Sequence, residues 1–157
     1  MQKTTVVAVG KLKERFWADA CAEYLKRLRP YAKTTVVEIP DVDPARVGGE
    51  GAAMEREAAG ILRALPERAH VVALAIGGTQ RSSEMLASRI DDLGLSGISD
   101  VVFVIGGSCG LAPSVMERAD ETLSFGPITL PHNLARVVLL EQLYRACKIS
   151  RGEPYHK

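Results

Sequence analysis

Aromatic residues are scarce in this sequence, making up 5 % of its 157 residues. The core must therefore be built from aliphatic side chains, which suits a parallel α/β sheet. At this length folding buries roughly 70 % of the surface of the extended chain. A single domain can then form its core without disulfides or structural metals.

Cysteines are also few, and the three present (Cys21, Cys109 and Cys147) have no CxxC spacing. This usage is typical of a reduced, cytoplasmic protein, and it predicts no metal site. No apolar run approaches the ~20 residues of a membrane span. The first ten residues, MQKTTVVAVG, lack the apolar segment of a signal peptide, so we expect no membrane association.

The common nucleotide-binding and nucleophile motifs are missing as well. There is no GxxxxGK[ST], and the glycines of Gly106–Gly110 form GGxxG rather than GxGxxG, so a dinucleotide site is weakly supported. Neither Ser108 nor Ser114 lies in GxSxG. Cys109 has no base close to it in the sequence, which favours a small buried cysteine over a nucleophile.

What the chain does contain is an uneven distribution of charge. Residues 1–33 hold eight basic and three acidic side chains, net +5, and residues 136–157 hold five and two, net +3. Because the whole chain is +1, the middle carries −7. Basic ends are typical either of a polyanion partner or of ordinary solvated helix faces.

Strand and helix patterns alternate strictly along the chain. Alternation of this kind predicts a parallel or mostly parallel sheet with helices on both faces, in one domain. Asp41–Gly49 is polar, contains a proline and two glycines, and is expected to be a mobile loop. The predicted strands are Thr4–Val9, Thr34–Ile39, His70–Ile76, a run from Val101 to the glycine at 106, and Thr122–Phe125. The predicted helices run from about Trp17 to Leu28, Met54 to Leu65, Ser83 to Leu93, Ala112 to Asp120 and Leu134 to Ile149.

The central feature is the segment VVFVIGGSCGL, Val101–Leu111. Its apolar run reads as a strand buried on both faces, and the glycines follow at its carboxyl end, where ligands bind in open α/β sheets. Gly106–Gly110 is therefore either part of a small-molecule site, together with Gly77–Gly78 and Gly126, or only a tight strand–helix turn.

The last predicted helix has apolar residues on more than one face. Leu134, Val137 and Leu140 lie on one stripe, while Val138 and Leu139 add apolar surface beside it. Such a helix needs a second partner besides the sheet, and we expect a homodimer.

Five segments together resemble the SPOUT class of S-adenosylmethionine-dependent RNA methyltransferases, and within it the RlmH type. They are VIGGSCGL, LSFGPITLPHNLARVVLLEQLYRA, the C-terminal RGEPYHK, the opening TVVAVGKLKE and the run EYLKRLRPY, which together extend over essentially the whole chain. The resemblance implies transfer of a methyl group to N3 of a pseudouridine in 23S, large-subunit rRNA. It also implies a fold with a C-terminal deep trefoil knot that forms the cofactor pocket, an architecture that general folding rules would have excluded.

Carried over by residue, the resemblance places the S-adenosyl-L-methionine site on strand ends and one loop. An adenine ring needs flat apolar walls and backbone hydrogen bonds, which Leu74, Ile128 and Leu130 with exposed main chain can offer. Ala75 stands where some relatives have an acidic residue, so no charged side chain contacts the cofactor there. The implied contacts are Leu74, Gly106, Phe125, Gly126, Pro127, Ile128, Thr129 and Leu130.

The resemblance also implies the catalytic candidates His132, Glu141, Arg145, Tyr155 and His156. The N3 proton of pseudouridine is weakly acidic, so methylation needs a base or a nearby cation. Glu141 and Arg145 are spaced to pair on one helix face, either for chemistry or only for structure. Arg145 can hold a phosphate, Tyr155 can stack on a flipped base, and His156 can take the proton. The composition of the C-terminal tail alone predicts disorder. Which of the five candidates accepts the N3 proton is not determined by the sequence.

The family has no appended RNA-binding domain, so RNA must be recognised by the surface of the dimer. The expected phosphate contacts are Lys11, Lys13, Arg15, Arg27 and Arg29, on large-subunit rRNA or the ribosome. Two other functions remain open: a non-catalytic ribosome-associated protein that keeps the pocket, and a flavodoxin-like nucleotide-binding oxidoreductase.

Overall fold

A computed structural model describes residues 2–157, with five strands and six helices in that range. The strands are β1 (Lys3–Val9), β2 (Lys33–Ile39), β3 (His70–Leu74), β4 (Asp100–Ile105) and β5 (Glu121–Leu123). The helices are α1 (Arg15–Leu28), α2 (Pro44–Val47), α3 (Glu50–Ala64), α4 (Ser83–Leu95), α5 (Pro113–Arg118) and α6 (His132–Ser150). None of these helices is both long and apolar enough to cross a bilayer.

All five strands form one parallel sheet in the order β2-β1-β4-β3-β5. Val72 and Val6 both lie opposite Phe103, which puts β4 at the centre of the sheet. Because every strand runs in the same direction, the segments after β1, β3, β4 and β5 all emerge at one edge, here called the carboxyl edge.

Helices cover both faces of the sheet, as the alternation predicts. Alternate residues of each strand point to opposite faces. On one face Phe103 packs with buried side chains of α1, α4 and α6, and on the other Val104 packs with those of α3 and α5. The aliphatic core expected from the composition is confirmed, since Phe103 is the one aromatic residue among the fully buried side chains of residues 2–157.

The loop predicted over Asp41–Gly49 was wrong in part, because it contains α2. Asp43 caps this short helix by accepting a hydrogen bond from the Ala45 backbone N–H at 3.0 Å, Pro44 occupies its first turn, and Gly48 ends it with φ of +94°. These are standard helix start and stop signals, compressed into too few residues to show a periodicity.

Other boundaries also differ from the prediction: β5 is Glu121–Leu123 rather than Thr122–Phe125, and α3 begins at Glu50 rather than Met54. Two further differences affect the carboxyl edge. β3 ends at Leu74 rather than Ile76, because the Gly78 N–H donates to the Ala75 carbonyl at 3.0 Å and turns the chain. Helix α6 begins at His132 rather than Leu134, so that His132 lies in its first turn at the carboxyl edge.

Candidate active site

A cleft of about 710 Å³ opens at the carboxyl edge, where the segments after β3, β4 and β5 meet. Its walls are mostly aliphatic side chains and exposed backbone, and its volume suits a small-molecule ligand. The lining residues are Leu74, Ala75, Ile76, Ile105, Gly106, Gly107, Ser108, Gly110, Leu111, Leu123, Phe125, Gly126, Ile128, Thr129, Leu130, Pro131, His132 and Ala135.

The glycines after β4 make a tight turn and also line this cleft, so both interpretations of the sequence apply. A Cβ on Gly106 would lie 2.8 Å from the carbonyl carbon and oxygen of Gly110, closer than real Cβ atoms approach. Gly110 has φ of +86° and donates its N–H to the Gly107 carbonyl at 3.1 Å. The backbone can fold this closely only because side chains are missing there.

Ser124 joins the segments after β3 and β5. Its buried hydroxyl donates to the Ile76 carbonyl at 2.6 Å and accepts from the Gly126 N–H at 3.0 Å. Its own N–H donates to the Thr79 carbonyl at 2.9 Å. Two walls of the cleft are thereby held in one arrangement.

Seven of the eight predicted cofactor residues line the cleft, and Pro127 lies within the same loop but is not part of the lining. Gly77 and Gly78 do not line it either, although they follow the lining residue Ile76. Sequence reasoning missed Ile76 and Leu111; their apolar character in glycine-flanked loops was the available signal. The lining contains no Lys, Arg, Asp or Glu.

His132 is the one predicted catalytic residue that lines the cleft. It lies against Gly10, where an added Cβ would be 3.2 Å from the imidazole Cε1. Arg136, one helical turn further along α6 and 2 % exposed, donates to the Gly10 carbonyl at 3.0 Å and pairs with Glu38 at 2.8 Å. This buried arginine fixes the end of β1 to the start of α6.

The other four catalytic candidates form one cluster on α6 and the C-terminal tail. Oε1 of Glu141 accepts hydrogen bonds from Nε of Arg145 and from the Tyr155 hydroxyl, both at 3.0 Å. Oε2 accepts from the Gln142 amide at 2.7 Å. The guanidinium of Arg145 also stacks 4.7 Å from the centre of the Tyr155 ring. Burial and the hydrogen bond to Glu141 raise the pKa of Tyr155 to about 12, so its hydroxyl stays protonated and acts as a donor.

His156 is held between two charged side chains. Its Nδ1 lies 3.2 Å from Nη1 of Arg145 and its Nε2 lies 2.6 Å from Oε1 of Glu84. Because arginine can only donate, Nδ1 must be the accepting nitrogen, and Nε2 carries the hydrogen that Glu84 accepts. Glu84 was not predicted as a site residue, since nothing local links the first turn of α4 to the tail.

The tail is anchored rather than disordered, contrary to what its composition predicts. Glu153 accepts hydrogen bonds from Nζ of Lys148 at 2.6 Å and from the Tyr31 hydroxyl at 2.5 Å. The Tyr155 ring packs edge-on against Tyr144, with ring centres 4.8 Å apart. These contacts connect elements far apart in sequence, which is why the local pattern missed them.

The tail cluster is separate, within one chain, from the cleft at the carboxyl edge. None of Glu141, Arg145, Tyr155 and His156 lines the cleft, and Arg145 lies about 20 Å along α6 from His132. A second, more polar cleft of about 390 Å³ shares the walls Leu123, Phe125 and Gly126 with the first and includes Gln142. Gln142 accepts a hydrogen bond from the Ser83 hydroxyl at 2.6 Å, so the cluster borders this second cleft.

The five predicted RNA-binding residues do not form one patch. Lys11, Lys13 and Arg15 lie at the carboxyl edge, at or just before the start of α1. Arg27 and Arg29 lie at the opposite end of α1, about 20 Å away. Arg27 pairs with Glu23 at 3.0 Å and stacks over Tyr24, so it is already engaged.

None of the three cysteines lines either cleft. Cys109 is half-buried rather than buried as predicted, and it is not part of the cleft lining. Burial raises the pKa of the Cys21 and Cys147 thiols, which makes them poor nucleophiles. Within residues 2–157, no group of three or more His, Cys, Asp or Glu is arranged to hold a metal ion.

Residues 2–156 match a family model described as "Predicted SPOUT methyltransferase". The chain is 54 % identical over 159 residues to the ribosomal RNA large subunit methyltransferase H of Rubrobacter xylanophilus, covering 99 % of each chain. It is 52 % identical over 155 residues to the protein of the same name from Listeria monocytogenes, covering 97 % of this chain and 98 % of that one.

Among solved structures, the fold is similar to that of "a probable methylase family protein" from Haemophilus influenzae Rd KW20. The TM-score is 0.61 at 14 % identity, and the match covers 99 % of this chain and 71 % of the other. At this identity the similarity supports the α/β fold alone.

Proposed function

Because the chain belongs to the SPOUT methyltransferase family, we propose that it transfers the methyl group of S-adenosyl-L-methionine to N3 of a pseudouridine in 23S rRNA, on the assembled ribosome in the cytoplasm. Two relatives that match over almost the whole chain are named for methylation of large-subunit rRNA. The observation that carries the proposal is the convergence of the segments after β3, β4 and β5 on one apolar cleft.

The residues of this cleft fit an adenosine group. Leu74, Ile128 and Leu130 supply apolar surface for a flat ring, and Gly106 lets main-chain hydrogen-bonding groups approach closely. The lining offers no charged side chain to oppose a neutral nucleoside. When bound, the cofactor supplies an electrophilic methyl group, and the task of the protein is to hold the acceptor nitrogen in line with it.

We assign the acceptance of the N3 proton to Nδ1 of His156. Glu84 holds the Nε2 hydrogen, so Nδ1 is the basic nitrogen, and it takes the N3 proton once Nη1 of Arg145, 3.2 Å away, turns from Nδ1 towards the pyrimidine. Arg145 beside it stabilises the negative charge that develops on the pyrimidine. Tyr155 is excluded as a base by its raised pKa and instead presents its ring for stacking. Glu141 is occupied at both oxygens and orients Arg145 and Tyr155.

We further propose that the working enzyme is a homodimer in which the tail of one subunit completes the cleft of its partner. The separation of about 20 Å between His132 and Arg145 along α6 supports this arrangement. So do the apolar side chains of Val137 and Val138, which α6 leaves only partly buried.

Mixed dimers test this arrangement. Gly106→Ala disables the cleft and His156→Ala disables the tail, so each homodimer should be inactive. If the tail acts in the partner's site, mixing the two should restore roughly a quarter of the wild-type rate, because half of the dimers are mixed and each has one intact site. No restoration on mixing would contradict the shared site.

The activity itself is tested with labelled S-adenosyl-L-methionine and ribosomes that lack the modification. We expect methyl incorporation only after pseudouridylation, and none with the His156→Ala variant, which should still bind the cofactor in a calorimetric titration. Cofactor binding without any incorporation would favour the non-catalytic, ribosome-associated alternative. Tight binding of a flavin or nicotinamide instead would favour an oxidoreductase.

The trefoil knot belongs to the same proposal. Two observations support it. The segment after β5 lines the same cleft as the segments after β3 and β4. Helix α6, which follows, then packs with α1 and α4 on one face of the sheet. Mechanical unfolding from the two termini tests it, because a tightened knot leaves the stretched chain shorter than about 3.3–3.6 Å per residue. Full extension would rule the knot out.

A further inference from the structure

The start of α1 has two neighbouring aromatic side chains, one of which is exposed to solvent. Phe16 is 63 % exposed, and its ring centre lies 5.0 Å from that of Trp17 with the planes tilted by 56°. Trp17 is half-buried and contacts the Phe16 ring in this tilted arrangement. The sequence pattern began the predicted helix at about Trp17 and assigned no role to Phe16.

Three exposed cations precede this pair in the sequence. Lys11, Lys13 and Arg15 are all exposed. Across residues 2–157, the ion pairs within 4 Å include neither lysine, and Arg15 has only a 3.8 Å contact with Asp19 in which both side chains are largely exposed. Exposed pairs of this kind contribute little, so all three cations are available to an anionic partner. Glu14 and Asp19 are the acidic side chains closest in sequence.

The chain just before this segment, Val9 and Gly10, lies next to the cleft at the carboxyl edge. β1 lies beside β4, and a Cβ on Gly107 would be 3.1 Å from Cγ1 of Val9. Gly10 contacts His132, which lines the cleft. A strand of RNA that delivers a nucleotide to the cleft can therefore reach the start of α1 without leaving the carboxyl edge.

We propose that Phe16, supported by Trp17, is a stacking platform for an unpaired nucleobase of the RNA substrate next to the target nucleotide, while Lys11 and Lys13 bind the adjoining phosphates. Exposed aromatic rings beside cations are the usual means of binding single-stranded RNA, because every base has a face that can stack. This inference rests on the proposed function and adds to it a surface outside the cleft.

The test compares full-length Phe16→Ala and Phe16→Tyr with the wild type. Binding is measured to a fluorescein-labelled stem–loop RNA with pseudouridine in its loop and to ribosomes that lack the modification, each over a salt series. Leu95→Ala is the matched control, since Leu95 is 87 % exposed at the end of α4, away from the carboxyl edge. Cofactor affinity and dimer mass are measured for every variant.

We expect Phe16→Ala to weaken RNA binding roughly 5- to 150-fold, with an unchanged salt dependence, and Phe16→Tyr to restore it. A Lys11→Gln, Lys13→Gln double variant should instead reduce the slope of log K against log salt by about 1.4. Cofactor affinity and dimer mass should not change in either variant, and Leu95→Ala should behave as wild type.

Phe16→Ala binding RNA as tightly as wild type would overturn the platform and leave the proposed function standing. Dissociation of Phe16→Ala into monomers would also overturn it, because the surface would then be a contact between subunits. Failure of the wild type to bind or methylate either RNA would overturn the proposed function and the platform together.

Discussion

The Tyr155 hydroxyl donates a 3.0 Å hydrogen bond to Oε1 of Glu141, the same oxygen that Arg145 holds through its Nε at 3.0 Å. One carboxylate oxygen therefore positions both an aromatic ring from the tail and a cation from α6. Their alignment depends on a single acceptor, which makes Glu141 the most informative residue to change.

Replacing Glu141 by Gln should lower kcat by up to roughly 10²-fold while cofactor affinity stays unchanged, because the acceptor shared by Arg145 and Tyr155 loses its negative charge and holds both groups more weakly. The pKa of Tyr155 should also fall from about 12 towards the ordinary value of about 10. Steady-state kinetics and a spectroscopic tyrosine titration measure the two effects. Asp91→Asn, which likewise removes the charge of a carboxylate that accepts a hydrogen bond from α6, here from Ser150, is the control; a wild-type kcat in Glu141→Gln would show that the pair is only structural.

Docking of the tail should be strongest between about pH 4.3 and pH 10. The hydrogen bond from Lys148 lowers the pKa of Glu153. The backbone N–H of Glu84 and the contact with His156 lower the pKa of Glu84. The stabilisation that these two carboxylates give the docked tail is therefore lost as the pH falls below the ordinary carboxyl pKa. The hydrogen bond to Glu153 raises the pKa of Lys148, and burial raises the pKa of Tyr155. The stabilisation that these two groups give the docked tail is therefore lost as the pH rises through 10 towards 12. Fluorotyrosine NMR at Tyr155 follows the docked fraction. The loss of docking at low pH should be smaller in Glu153→Gln than in the wild type. An unchanged loss would mean that other groups cause it.

Gly106→Ala should abolish measurable cofactor binding and destabilise the fold by about 1–3 kcal/mol, because the new Cβ would collide with backbone atoms of Gly110. Calorimetry with the cofactor and thermal unfolding measure both effects. Gly77→Ala is the matched control, since a Cβ there meets nothing within 4 Å. Equal losses in the two variants would mean that general flexibility of the loops, not this contact, is responsible.

Changing Lys11 and Lys13 together to Glu should weaken RNA binding by roughly tenfold or more at low salt and leave cofactor affinity unchanged, because the phosphate contacts become repulsive. Binding assays with RNA and with the cofactor distinguish the two outcomes, and parallel loss of both would indicate misfolding. Arg29→Glu tests the far end of α1. A comparable loss there would extend the RNA-binding surface along the whole helix, whereas near-normal binding would restrict it to the carboxyl edge.

Much of the fold was predictable because its signals are local. Runs such as Val101–Ile105 are apolar on both faces and so predict buried parallel strands, and the glycines after them mark where the chain must turn. Ser82 caps α4 as its residue type suggests, accepting from the Met85 N–H at 3.1 Å. The cofactor residues, by contrast, came from resemblance to a family; seven of them line one cleft, and their contact with a cofactor stays a prediction.

The sequence by itself determined every element of this protein except the short helix α2, together with the aliphatic core and the positions of the glycine turns, because each depends on the chemistry of neighbouring residues. Only the tertiary structure decided the order β2-β1-β4-β3-β5, the contact of Glu84 with His156 and the division of the basic residues between two ends of α1. These relationships join residues that are distant along the chain. They are selected by the packing of the whole sheet and its helices, which no short segment encodes.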